Sequence, residues 1–124
     1  VIANMADDYL DWVEDDLVKI ANAQKELKAN RDQSEHHLDK VFQVAHDMKG
    51  QGGSFGYDLM TILGNDLCRF IEGKKTASDV DIEVIDLYIS TMQIVISKRM
   101  SGDGGPAGNE VLTGLAAVVA KITS

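Results

Sequence analysis

Apolar residues recur along most of this chain at alternating steps of three and four, the period of an amphipathic α-helix. Ala6, Leu10, Val13, Leu17, Ile20 and Leu27 keep that period in the first stretch, with Gln24 as one polar interruption of the seam. Asn30, Asp32 and Ser34 fall in a polar break over 29–35, which predicts a turn with a helix cap. A second helix follows with Leu38, Val41, Ala45 and Met48 on its buried side. It should end near Gly50, Gly52 and Gly53, because clustered glycine disfavours helix. Leu59, Leu63, Leu67 and Phe70 carry a third helix, widened by Met60 and Ile71. A polar connector over 73–79 leads to a fourth, capped by Ser78 or Asp79, with Ile82, Ile85, Ile89, Met92 and Ile96 as its seam.

Residues 101–109 (SGDGGPAGN) predict a flexible glycine-rich linker. Beyond it, Val111, Leu112, Leu115, Val118, Val119 and Ile122 predict a short fifth helix over about 110–123. Sustained alternation of apolar and polar residues, the mark of a strand, is missing. The pattern therefore predicts an all-α fold: an antiparallel four-helix bundle over about 4–100, with an additional short C-terminal helix docked on its side.

Length and composition narrow this picture. A chain of 124 residues holds one domain and one core. The net charge of −8 argues against a nucleic-acid partner and against an anionic membrane surface, both of which ask for clustered Lys and Arg. No apolar run approaches the roughly 18 residues of a membrane span. Residues 1–8 carry neither the basic region nor the apolar core of a secretory signal. The single cysteine, Cys68, has no internal partner, which fits a reducing compartment. A soluble, cytoplasmic domain is expected. Four helices suffice for a monomer.

Candidate chemistry gathers in Ala45 to Gly56, AHDMKGQGGSFG. With Leu38 at zero and about 100° per residue, the apolar positions of the second helix centre on about −40°. His46 then falls at about 80°, Lys49 at about 20°, Gly50 at about 120° and Gly53 at about 60°. His46 thus lies clear of the core, on a flank shared with its i+3, i+4 and i+7 neighbours. A neutral imidazole keeps a lone pair that can attack phosphorus. Lys49 brings a positive charge to phosphoryl oxygens, while Gly50 and Gly53 clear the approach for a partner's active site. No carboxylate cage stands beside His46, so no cofactor is expected on this chain and any Mg²⁺ should arrive with the partner.

The order His46-x-x-Lys49-Gly50, with Gly56 ten residues after the histidine, resembles the signature of histidine-phosphotransfer (HPt) domains. The likeness continues through Leu63, Cys68 and the pair Ile71-Glu72, so about 28 residues, Ala45 to Glu72, follow the family pattern. The resemblance implies phosphorylation at Nε2 of His46 and docking of a receiver domain over the glycine flank. It implies a relay between response-regulator receivers, with a sensor histidine kinase as a further candidate partner and no kinase activity of its own. Gln51-Gly52-Gly53 is richer in glycine than many members, and a looser helix end is expected.

Other readings compete with this one. His37 also has a lysine at i+3, Lys40, but Val41 follows and no glycine, which marks it as structural or solvated. Adjacent His36 and His37 cannot share a helix face to hold a metal. Gly52-Gly53-Ser54-Phe55-Gly56 matches a hydrolase nucleophile elbow as a string, yet that motif needs a strand before the serine. Gly50-x-Gly52-x-x-Phe55 fails the dinucleotide fingerprint at its third glycine. A bundle that binds a receiver without carrying phosphate is a third possibility, against which His46 and Lys49 speak. Phe42, at about 40° on the wheel, reads equally as core edge or as an apolar docking rim. Phe55 is expected to pin the loop onto the bundle, and Trp12 to lie at its edge. The acidic run from Asp7 to Asp16 reads as a solvated face.

Overall fold

The computed structural model describes residues 2–124, with side chains from Asp8 onward, so the burial expected of Ala6 in the first seam and of Asp7 in the acidic run lies outside the described residues. Among the described residues the chain forms five α-helices and no strand: α1 (Ile2–Ala29), α2 (Ser34–Gly52), α3 (Asp58–Ile71), α4 (Asp79–Ser97) and α5 (Gly105–Thr123). α1 packs on α2 and α4, and α3 packs on α2 and α4, which closes the first four into an antiparallel bundle. α5 lies against α4 on the outside of that bundle. No helix among the described residues is long and apolar enough to cross a membrane.

The seams predicted for α2 and α4 are buried in the core. In α1 the fully buried residue of the second turn is Tyr9 rather than Leu10, which is half-buried. Burial, with Tyr57 and Asp16 beside it, pushes the Tyr9 hydroxyl up to about 12. Gln24 links two helices: its Nε2 donates to the Ile82 carbonyl and to the Asp86 carboxylate, both at 3.1 Å. The polar break in the seam is therefore a hydrogen-bonded tie between α1 and α4. In α3 the apolar stripe is buried except for Phe70, which is half-buried with the Lys74 ammonium 4.6 Å above its ring.

Two polar devices hold the connectors. The Arg31 guanidinium donates to the Ala77 carbonyl at 2.6 and 3.1 Å and to Asp79 at 3.0 Å, which ties the α1–α2 turn to the α3–α4 connector. Ser78 opens α4 with a capping box: its hydroxyl accepts from the Asp81 amide at 3.1 Å, and Asp81 accepts from the Ser78 amide at 3.0 Å. Burial opposes the charge of Asp81, but the Ser78 amide and the Lys74 ammonium at 3.2 Å outweigh it and lower its carboxyl below the usual range. Ser78→Ala should cost about 1 kcal/mol, read as a lower urea midpoint with unchanged slope.

The C-terminal region departs from the sequence reading. Residues 101–109 are not a flexible linker throughout, because α5 begins at Gly105 and runs 19 residues, as long as α2 and α4. Gly104 turns the chain at φ +77, Asp103 accepts from the Gly105 amide at 2.8 Å, and Pro106 occupies the first turn, where no backbone N–H is needed. The preceding loop is built into the fold: the Gly102 amide donates to the Gly56 carbonyl, and the Leu59 amide to the Gly102 carbonyl at 2.9 Å. Leu115 is buried against the bundle, with Leu112 and Val119 packed beside it.

Candidate functional site

The α2 helix presents His46 to solvent while Ala45 and Met48, its neighbours on the inner side, are fully buried. The Phe42 ring lies one turn earlier, half-buried and stacked on the imidazole at 6.0 Å between centroids and 26° between planes. Phe42 thus does two things at once: it closes the core edge and forms one wall beside the histidine. A hollow of about 260 Å³ continues from it towards the α3–α4 connector, floored by Leu38 and Ile71 and edged by Lys74.

Beneath this wall lies Cys68 of α3, whose thiol approaches the Phe42 carbonyl at 3.8 Å. Burial pushes the thiol up, against a smaller opposite pull from Lys49, so it stays protonated and serves as packing rather than as a nucleophile. On the α1 side of α2 the surroundings are acidic. Asp16 is raised above the usual carboxylate range by burial, with Lys19 offsetting part and Asp47 and Asp15 adding to it.

Lys49 is half-buried, with its backbone nitrogen and Cβ close against α3 at Gly64. A Cβ on Gly64 would meet the Ala45 carbonyl and the Lys49 Cβ at 3.0 Å, so the bare glycine is what lets α2 and α3 approach so closely under the site. The glycines of the flank differ in kind. Gly50 is exposed, and a Cβ there would touch nothing within 4 Å. Gly53 opens a short 3₁₀ turn (Gly53–Phe55) and has room for ordinary contact with Thr61 and Asp58 at 3.5 and 3.6 Å. Gly52 is buried, and a Cβ there would collide with Thr61 Oγ1 at 2.7 Å and the Tyr57 carbonyl at 2.9 Å. Gly56 sits at φ +84, the left-handed region that lets the chain turn into α3.

The end of α2 is not loose. Regular helix reaches Gly52, and the 3₁₀ turn follows without a break. Phe55 holds that turn from the α1 side, stacked on Tyr9 at 5.1 Å, with exposed Trp12 edge-on to it at 5.7 Å. Thr61 holds it from the α3 side by two hydrogen bonds. Thr61 and Gly64 lie outside the motif residues that the sequence names. A glycine inside the strong apolar seam of α3 was a signal, since helix interiors disfavour it without a packing reason, but Thr61 gave none.

The competing histidines stand apart. His37 is 7% exposed on the inner part of α2, and its Nδ1 has no hydrogen-bond partner. His36 is exposed, with no glycine among the residues that follow it in its turn. Ser54 lies in a 3₁₀ turn between two helices, and no strand exists among the described residues to build a nucleophile elbow.

The structure thus shows a four-helix bundle that carries a solvent-facing histidine one turn from a lysine on the same helix. The chain belongs to the Hpt domain family, whose model matches residues 4–95, well over half of it. Hpt domains are phosphocarrier modules of histidine phosphotransfer in phosphorelays and partner receiver domains of two-component systems. The matched region ends within α4, so α5 lies beyond it. Comparisons with curated proteins and with solved structures match nothing.

Proposed function

We propose that His46 carries the phosphoryl group. Its Nε2 lone pair attacks the phosphorus of a receiver's phospho-aspartate; the N–P bond forms as the Asp O–P bond breaks, and a second receiver's aspartate later reverses the step. The observation that carries this reading is that His46 faces solvent on the same flank as Lys49 and the open Gly50. Lys49 steadies the phosphoryl oxygens, and Phe42, Gly50 and Gly53 form the surface on which the receiver sits. Gly56 serves the turn behind it. The receiver brings Mg²⁺, and this chain needs no cofactor and has no kinase activity of its own. It acts as a monomer in the cytoplasm, with a sensor histidine kinase as a further candidate partner.

Incubation with a phosphorylated receiver should transfer a label that is acid-labile and stable to base. Absence of label from every cognate receiver, or an acid-stable one, would overturn the assignment. Lys49→Ala should slow transfer about 10- to 100-fold, below the roughly 100- to 1000-fold cost of removing a donor from an enclosed site, because this face is open to solvent. Its urea midpoint should move little. A Lys49→Ala protein that transfers at the unmodified rate would remove Lys49 from the site.

A further inference from the structure

We propose that Thr61 is a positioning residue for phosphotransfer, acting through Lys49; this rests on the reading of His46 and Lys49 given above. The Thr61 hydroxyl donates to the Lys49 carbonyl at 3.0 Å and accepts from the Gly53 amide at 2.7 Å. Those two backbone groups are four residues apart, the carbonyl and amide that an α-helix pairs with each other. One hydroxyl from the neighbouring helix therefore clips the last turn of α2 at the point where its glycines would let it fray.

Two features show that the clip is built in. Gly52 makes room for it, since a Cβ there would stand 2.7 Å from the Thr61 oxygen. One turn along α3, Gly64 admits the Lys49 backbone and Cβ, with a hypothetical Cβ at 3.1 Å from the Lys49 nitrogen. Thr61 and Gly64 so grip Lys49 at its carbonyl, its amide nitrogen and the root of its side chain. Lys49 lies one turn after His46, so a fixed root sets where its ammonium can meet a phosphoryl group on that histidine. A lysine whose backbone is already held loses less freedom on engaging the phosphoryl oxygens, and small displacements of a positioned group cost rate.

Thr61→Val keeps the branched shape and removes both hydrogen bonds. In single-turnover transfer from a phosphorylated receiver at rising concentration, its maximal rate should fall about tenfold, with half-saturation within about twofold of the unmodified protein. Thr61→Ser should restore the rate to within about twofold, because the hydroxyl returns. In a Lys49→Ala background, Thr61→Val should add little, as expected for two residues acting as one unit. A Thr61→Val protein with an unchanged maximal rate, a serine variant as slow as the valine one, or full additivity with Lys49→Ala would overturn the proposal.

If Thr61→Val fails to fold, amide exchange in the unmodified protein decides. A Gly53 amide protected like those of the α2 interior supports the clip, and one exchanging as an open loop overturns it. Labelling of the unmodified protein and its loss in His46→Gln test the His46 reading separately, so failure of either idea is visible by itself.

Discussion

His46→Gln should abolish the acid-labile label while leaving the fold as stable as before. The side chain is exposed, and its close neighbour is the Phe42 ring at 6.0 Å, so substitution should change stability by no more than about 0.5 kcal/mol. Glutamine keeps polarity at the position but has no nitrogen lone pair free to attack phosphorus, because its amide nitrogen is conjugated with the carbonyl. The loss should therefore be complete at any receiver concentration, unlike the graded loss expected for Lys49→Ala. His36→Gln is the matched control, since His36 is exposed on the same helix without the glycine flank, and it should label normally. Phosphate that persists on His46→Gln, or that disappears with His36→Gln, would move the site away from the proposed face.

Much of this was legible in the sequence because burial on a helix is periodic. The seams of α2 and α4, the cap at Ser78 and the outward direction of His46 all follow from local spacing, which a single chain displays. Features that rest on contacts between distant segments were not. Gln24 reads as a flaw in the α1 seam until the Ile82 carbonyl and Asp86 are placed opposite it. The region 101–109 reads as a linker because its glycines look like freedom. In the fold, Gly104 turns the chain at positive φ and Gly102 bonds to the turn at Gly56, which the composition does not reveal. Thr61 is the clearest case: it lies 12 residues from Lys49 and 8 from Gly53, and only the α2–α3 packing turns its hydroxyl into a clip.

Gly50 and Gly52, two residues apart, should respond to substitution in opposite ways. Gly50 lies in regular helix with nothing within 4 Å of an added Cβ, so Gly50→Leu should gain about 0.5–1 kcal/mol from helix propensity. The added side chain would project from the flank assigned to the receiver. Transfer should then weaken by about tenfold or more, through a higher half-saturating receiver concentration, because a flat interface with a new protrusion loses its close approach. Gly52→Ala meets the reverse situation. Its Cβ would enter within 2.7 Å of Thr61 Oγ1, 2.9 Å of the Tyr57 carbonyl and 3.0 Å of the Thr61 amide nitrogen. Two of those three atoms are backbone and cannot swing aside, so overpacking should cost about 1–3 kcal/mol, only partly offset by the better helix former. Paired urea titrations and transfer assays separate the two roles. A stabilised Gly50→Leu that still transfers normally would take Gly50 out of the docking face, and a Gly52→Ala with an unchanged midpoint would show that the α2–α3 contact yields without cost. With both expected results, the glycine run divides into a residue kept bare for the partner and one kept bare for Thr61.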